Sequence, residues 1–222
     1  MKIKLNANKI FIPSALCLII LLIGLIFHQN YGNTKGFLII NQLHNPMLDE
    51  VFKYLTYLGD GIIWLAIAFY CLFKNQKKLP IVFANFAIST LLAQGLKRWV
   101  FPDALRPVHL VQEGFNIHFV EGVKIYTNHS FPSGHAISAF AVAFTLVIVL
   151  KRKNHIKYLF LALAFLVGWS RIYLAEHYPI DVIAGGFIGI ISTYLTVFLL
   201  SQFKASRRSL EEPIIELEFK IH

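Results

Sequence analysis

The chain has 222 residues, of which 56% are hydrophobic and 15% charged, against about 45–50% and about 25% for a soluble domain. That imbalance, with a mean hydropathy of +0.60, excludes a soluble enzyme, a disordered tail and a nucleic-acid-binding module. The formal net charge of +9 sits in short clusters between apolar runs, a placement that suits membrane topology and anionic headgroups rather than nucleic acid.

A first apolar span covers residues 10–27, behind Lys2, Lys4 and Lys9. No small-residue cleavage site follows Phe27, so the segment reads as a retained anchor rather than a signal peptide. Residues 28–50 read as a polar connector interrupted by Phe37-Leu38-Ile39-Ile40. Leu43, Met47, Leu48, Val51, Phe52 and Leu55 recur at near-helical spacing and predict an interfacial helix leading into the second span, 54–73. Within it, Gly59-Asp60-Gly61 reads as a bend at the membrane surface in preference to a substrate contact at Asp60. The third span, 79–96, is uncharged, and a long polar loop containing His109, His118 and His129 follows over 97–132. Those histidines are irregularly spaced and read as loop residues rather than a metal site. The remaining spans are 133–150, 158–174 and 181–203, before a charged tail over 204–222. Cys17 and Cys71 lie within apolar runs and read as small core residues outside any disulfide.

The expected fold is therefore all-α: a polytopic membrane helix bundle of about six transmembrane helices. Residues 1–203 form one integral membrane domain and 204–222 a cytoplasmic tail. Fourteen of the 21 Lys and Arg residues fall in the amino end, the tail and the connections 74–78 and 151–157. Six spans put these four segments on one side, the cytoplasm, with both termini there.

Three segments map to the opposite face: Lys97-Arg98 with Arg106-Pro107; Phe131-Pro132-Ser133-Gly134-His135; and Ser170-Arg171, His177 and Asp181, with Gly185 beyond. Several cations beside two histidines make a poor site for a cation and a good one for a tetrahedral oxyanion such as phosphate. Ser133 and Gly134 stand where a helix starts, where a serine caps and free N–H groups point at an anion. Asp181, one helical turn beyond His177, can fix the tautomer of that imidazole and activate it as a nucleophile. His135, on another helix, can protonate a leaving alkoxide. Taken singly, Arg171 also reads as a side chain snorkelling from a helix end and Asp181 as a helix-start carboxylate.

Together the motifs resemble the type 2 phosphatidic acid phosphatase family, which includes the vanadium haloperoxidases, with its pattern K-x6-RP, PSGH and SR-x5-H-x3-D. The second and third motifs are intact here, at 132–135 and 170–181. The first departs: eight residues separate Lys97 from Arg106, and seven separate Arg98 from it. Lys97 is preferred to Arg98 by chemical type. The resemblance implies His177 as nucleophile oriented by Asp181, and His135 as acid and then base. It makes Lys97, Arg106, Ser133, Gly134 and Arg171 the phosphate cradle, and it implies no metal and no cofactor. The implied partner is a phosphorylated membrane lipid, among isoprenoid diphosphates, phosphatidylglycerol phosphate, phosphatidate and lipid A. The expected location is a bacterial inner membrane, with the site facing the periplasm. Phosphotransfer to another acceptor, vanadate-dependent halide oxidation and transport of a phosphorylated lipid are the competing readings.

Overall fold

The computed structural model describes residues 3–6, 8–150, 154–203 and 215–218. Helix α1 spans Asn8–Asn41, α2 Pro46–Leu55, α3 Ile62–Lys74, α4 Leu79–Gly95, α5 Gly134–Val149, α6 Asn154–Tyr173 and α7 Pro179–Gln202. Each of the six expected spans corresponds to a helix. Four helical stretches are long and apolar enough to cross a bilayer: Ile10–Asn41, Gln76–Val100, His155–Tyr173 and Pro179–Gln202. The α2–α3 pair is a fifth if its two halves, bent by 55°, form one span. Helix α5, at 16 residues, falls short of a full crossing by length. Large apolar side chains such as Phe11, Ile23, Leu65 and Phe69 face outward, as lipid-facing residues do.

One expectation is corrected. The segment 28–41 is helix rather than connector, continuing α1 past a break at Gly32 (φ 67°, ψ −171°), a backbone conformation that favours glycine. Its helicity follows from burial: Phe37 and Ile40 pack with Phe52, Leu110 and Tyr173 into a second core. The bundle is all-α as expected, and beside its helices Ile3–Asn6 and Ile215–Glu218 pair as the short parallel strands β1 and β2. That pairing brings the two ends of the chain to the same end of the bundle. The rest of the expected tail, and the basic residues 151–153, lie outside the described residues.

Helix α5 is the axis of the molecule, with most of its side chains buried against α4, α6 and α7. Two glycines let α7 lie directly on it. A Cβ at Gly189 would stand 2.6 Å from the Ile137 carbonyl oxygen, and one at Gly185 would stand 2.8 Å from that of Ser133, both too close for any side chain. Deep between α4, α5 and α7, the Asn85 amide donates to Thr145 and Thr193 (both 2.9 Å) and its carbonyl accepts from Ser192 (3.1 Å). A buried amide saturated in this way locks the relative rotation of three helices that apolar contacts alone leave free to slide. At the end of α5 away from its start, the Lys78 ammonium donates to the carbonyls of Ile148 (3.0 Å) and Val149. A cation there satisfies orphan carbonyls and complements the helix dipole.

At the other end, the 101–132 loop is fastened to the helices. Asn41 accepts from the His118 N–H and donates to the carbonyls of His118 and Tyr173, all at 2.9 Å. Asp49 pairs with His118 at 2.9 Å and accepts from the Tyr173 hydroxyl at 2.5 Å. Within the loop, 104–106 run beside 127–130: Arg106 N–H donates to Thr127 O and Ser130 N–H to Ala104 O, both at 2.9 Å. The end of α4, the starts of α5 and α7, the end of α6 and this loop thus meet at one pole of the bundle.

Candidate active site

Each site residue is placed by a local feature of its element. Beyond Gly95 the helix widens into a π-turn, Leu96–Val100, where the Phe101 N–H donates to Leu96 O at 2.8 Å. Such a turn takes up an extra residue in a helix and re-aims the side chains on it, in keeping with the lengthened spacing of the first motif. Lys97 is turned inward, its ammonium 2.7 Å from the His129 carbonyl, while Arg98 and Trp99 face outward. Arg106 is held from the loop, with Nε on Asn128 O and Nη1 on Glu176 O, both at 3.0 Å.

After α6, Ala175 adopts a left-handed conformation (φ 57°). The N–H groups of Glu176 and His177 then both fold back onto Arg171 O, at 3.0 and 3.1 Å, closing the helix as a left-handed cap does. This reversal sets Arg171, Glu176 and His177 side by side. At the start of α7, the Asp181 carboxylate accepts from the Tyr178 N–H at 3.0 Å, in the manner of a capping box. The Asp181 carbonyl accepts from the Ser133 N–H at 2.9 Å and so joins the starts of α7 and α5.

Lys97, Arg106, Gly134, His135, Arg171 and His177 line one cleft of about 330 Å³. Asp181 lies behind His177, with its Oδ2 3.3 Å from Nδ1, and Ser130 donates to the same oxygen at 2.5 Å. That pairing leaves Nε2 as the open nitrogen of His177. The ring is 1% exposed. Burial, then the charges of Arg106, Lys97 and Arg171, push it well below the usual histidine range, so it is a neutral imidazole. Ser133 is fully buried outside the cleft. Its hydroxyl caps α5 by accepting from Ala136 N–H (3.4 Å), and its own N–H is spent on Asp181. Of the α5 start, Gly134 and His135 are the residues that line the cleft.

Glu176 and Ser130 went unrecognised in the sequence, and Asp60 was read as a surface bend in preference to a substrate contact. Glu176, 2% exposed, pairs through Oε2 with Arg106 and, at 3.2 Å, with Arg171. Burial pushes its carboxyl up, and Arg171 and Arg106 pull it back. Burial likewise pulls Arg106 down, against Glu176. A charged residue directly after the run Ile172-Tyr173-Leu174-Ala175 at a membrane edge was the available signal. Asp60 is no mere surface bend: its Oδ1 lies 2.8 Å from His135 Nε2. Ser130 carried no sequence signal. The Arg171 Nε is buried with no hydrogen-bond partner among the described residues, although Nη1 donates to Thr56 at 2.7 Å. A guanidinium donor beside the cleft with no protein acceptor is suited to hydrogen-bond an oxyanion.

Fold and site together define a multi-pass membrane protein with a cation-lined, histidine-bearing cleft at one end of its helices. The chain belongs to the PAP2 superfamily, whose sequence profile matches residues 78–205. It is 31% identical over 172 residues to the undecaprenyl-diphosphatase of Sulfolobus acidocaldarius, covering 76% of this chain and 79% of that protein. It is 28% identical to the lipid A 4'-phosphatase of Bacteroides thetaiotaomicron, over 80% of each chain. Among solved structures, Aquifex aeolicus LpxE superposes with a TM-score of 0.65 at 30% identity, covering 75% of this chain and 94% of that one. The first two relatives are named for phosphatase action on lipids.

Proposed function

We propose that the protein is a lipid phosphatase that hydrolyses a phosphomonoester or diphosphate on a membrane lipid through a phosphohistidine at His177. The carrying observation is the convergence, on one cleft, of three cations and a histidine whose Nδ1 faces Asp181 (3.3 Å). Nε2 of the neutral ring attacks phosphorus; the P–N bond forms as the P–O bond to the lipid breaks, and His135 gives its proton to the leaving oxygen. Water then attacks the phosphohistidine and loses a proton to His135, releasing phosphate and the free His177. Lys97, Arg106 and Arg171 supply the positive charge that the phosphoryl transition state requires, so the reaction needs no metal ion.

The topology supports a lipid substrate. We read six crossings, with both termini and the Lys78 end of the bundle in the cytoplasm and the cleft at the outer, periplasmic face of a bacterial inner membrane. Helix α5, with 16 residues, is about 24 Å long, against a hydrocarbon core of about 30 Å. A cleft at its start is therefore recessed below the surface, and Trp64, Phe86 and Ile137 line it beside Ser89, Thr90 and Ser138. A phosphate attached to a lipid tail reaches such a place more readily than a soluble phosphate.

The test is phosphate release by the purified, detergent-solubilised protein from a panel of lipid monophosphates and diphosphates, with EDTA present. Release is expected, together with inhibition by vanadate, which adopts the five-coordinate geometry the cradle is built to hold. Activity lost to EDTA and restored by a divalent ion would overturn the metal-free mechanism. No release from any lipid by folded protein would overturn the phosphatase reading.

The same assay separates the two adjacent cations of the first motif. Lys97→Gln is expected to lower kcat/KM by about 100-fold, the scale of losing one charged transition-state contact. Arg98→Gln, on the outward side, should stay within about 2-fold. Equal, mild effects would mean that neither cation contacts the phosphate.

A further inference from the structure

Asp60 is the only carboxylate among the described residues that line the cleft; Glu176 and Asp181 stand behind it. It faces a set of like charges, with Lys97, Arg106 and Arg171 sharing the cleft with His135 and His177. Arg171 and Lys97 oppose a proton on His135, and by Coulomb's law a carboxylate in hydrogen-bond contact is the nearest charge able to offset them. Its placement is built into the packing. Gly59 is wedged so tightly that a Cβ there would stand 3.0 Å from the His135 carbonyl oxygen and 2.9 Å from Val167 Cγ1. One turn further along both helices, the Trp64 indole N–H donates to Ser138 Oγ at 3.1 Å. Two contacts, Asp60 to His135 and Trp64 to Ser138, thus hold the start of α3 in register with the start of α5.

We propose that Asp60 is the positioning residue of His135, forming a second histidine–carboxylate pair that mirrors Asp181 and His177 with the ring nitrogens exchanged. Asp60 takes the Nε2–H of His135, which leaves Nδ1 as the atom that gives and takes the catalytic proton. As the P–O bond breaks, the proton on Nδ1 passes to the leaving alkoxide, and the neutral ring keeps its Nε2–H on Asp60. In the second half, Nδ1 takes a proton from the attacking water. The proposal rests on the phosphatase reading and adds to it the group that keeps the general acid loaded and aimed.

The test compares an alkyl phosphate, whose leaving alkoxide needs a proton, with 4-nitrophenyl phosphate, whose leaving phenolate does not. The quantity measured is kcat/KM, because it ends at phosphohistidine formation and departure of the leaving group. Asp60→Asn is expected to lower kcat/KM for the alkyl ester by about 100-fold, the scale of general-acid catalysis. For the aryl ester the loss should stay below about 3-fold, which also shows that the variant is folded. Asp60→Glu should recover part of the loss on the alkyl ester. An equal loss on both esters would make Asp60 a structural or substrate-binding residue, and full activity on both would make it a bystander; either result overturns the proposal. Wild-type protein that cleaves both esters, with a His177→Ala variant that cleaves neither, shows that the phosphatase reading stands whatever becomes of Asp60. A wild type that cleaves neither overturns the reading itself.

Discussion

His177→Ala is expected to reduce phosphate release by about 10⁴-fold or more, because removing the nucleophile of a covalent mechanism eliminates the route rather than slowing it. Asp181→Asn should fall by about 10²–10⁴-fold with the fold intact. An amide at this position can present its N–H to Nδ1, and the ring then turns its hydrogen to Nε2, the wrong nitrogen for attack. The decisive measurement is rapid quenching with labelled substrate. Wild-type protein should carry label in an alkali-stable, acid-labile bond, and His177→Ala should carry none. Label that survives in His177→Ala would move the nucleophile to another residue. Because the buried ring is held well below the usual histidine range, it binds its proton only at pH values below that range. Loss of kcat/KM through protonation of the nucleophile is therefore expected well below pH 6.5, and a half-loss at 6.5 traced to His177 would contradict the geometry.

The second large effect belongs to Glu176. Its carboxylate is the shared counter-ion of two buried guanidiniums, Arg106 and Arg171. Glu176→Leu leaves those charges facing each other without a partner, and breaking a buried pair from one side costs about 3–5 kcal/mol. A loss of that size takes up much of a typical stability margin, so a sharp fall in thermal midpoint is expected. Glu176→Gln keeps the shape and an acceptor oxygen and should lose less. The specific signature is rescue: phosphate or vanadate supplies the missing negative charge, so either anion should raise the midpoint of Glu176→Gln by more than that of the wild type. Equal shifts in the two proteins would show that Glu176 and the bound anion do not share the arginines.

Much of the site was legible because its motifs are local. Pro132-Ser133-Gly134-His135 sits within one helix start, and His177 and Asp181 are one turn apart at another. Capping and helical periodicity act over four residues, so their reading needs no tertiary information. The apolar runs were legible for a similar reason, since a bilayer demands length and hydrophobicity of each helix separately. Their limits were not. Residues 28–41 read as connector because Gln29, Asn30 and Asn33 dilute the run, yet Phe37 and Ile40 fold them into helix against Tyr173 and the loop. Lys97 and Arg98 were separable by chemical type alone; the π-turn made the choice physical by turning one inward and the other out.

The sequence by itself determined that this is a helical membrane protein with a cation-rich, histidine-bearing face, because composition, run length and short motifs follow from local chemistry. Only the tertiary structure decided which charges pair. Glu176 is next to His177 in the chain, yet its partners lie 70 and 5 residues away in sequence. Asp60 meets His135 across 75 positions. A side chain's electrostatic partner is set by the folding of distant segments into one low-dielectric space, and sequence spacing carries no record of that encounter.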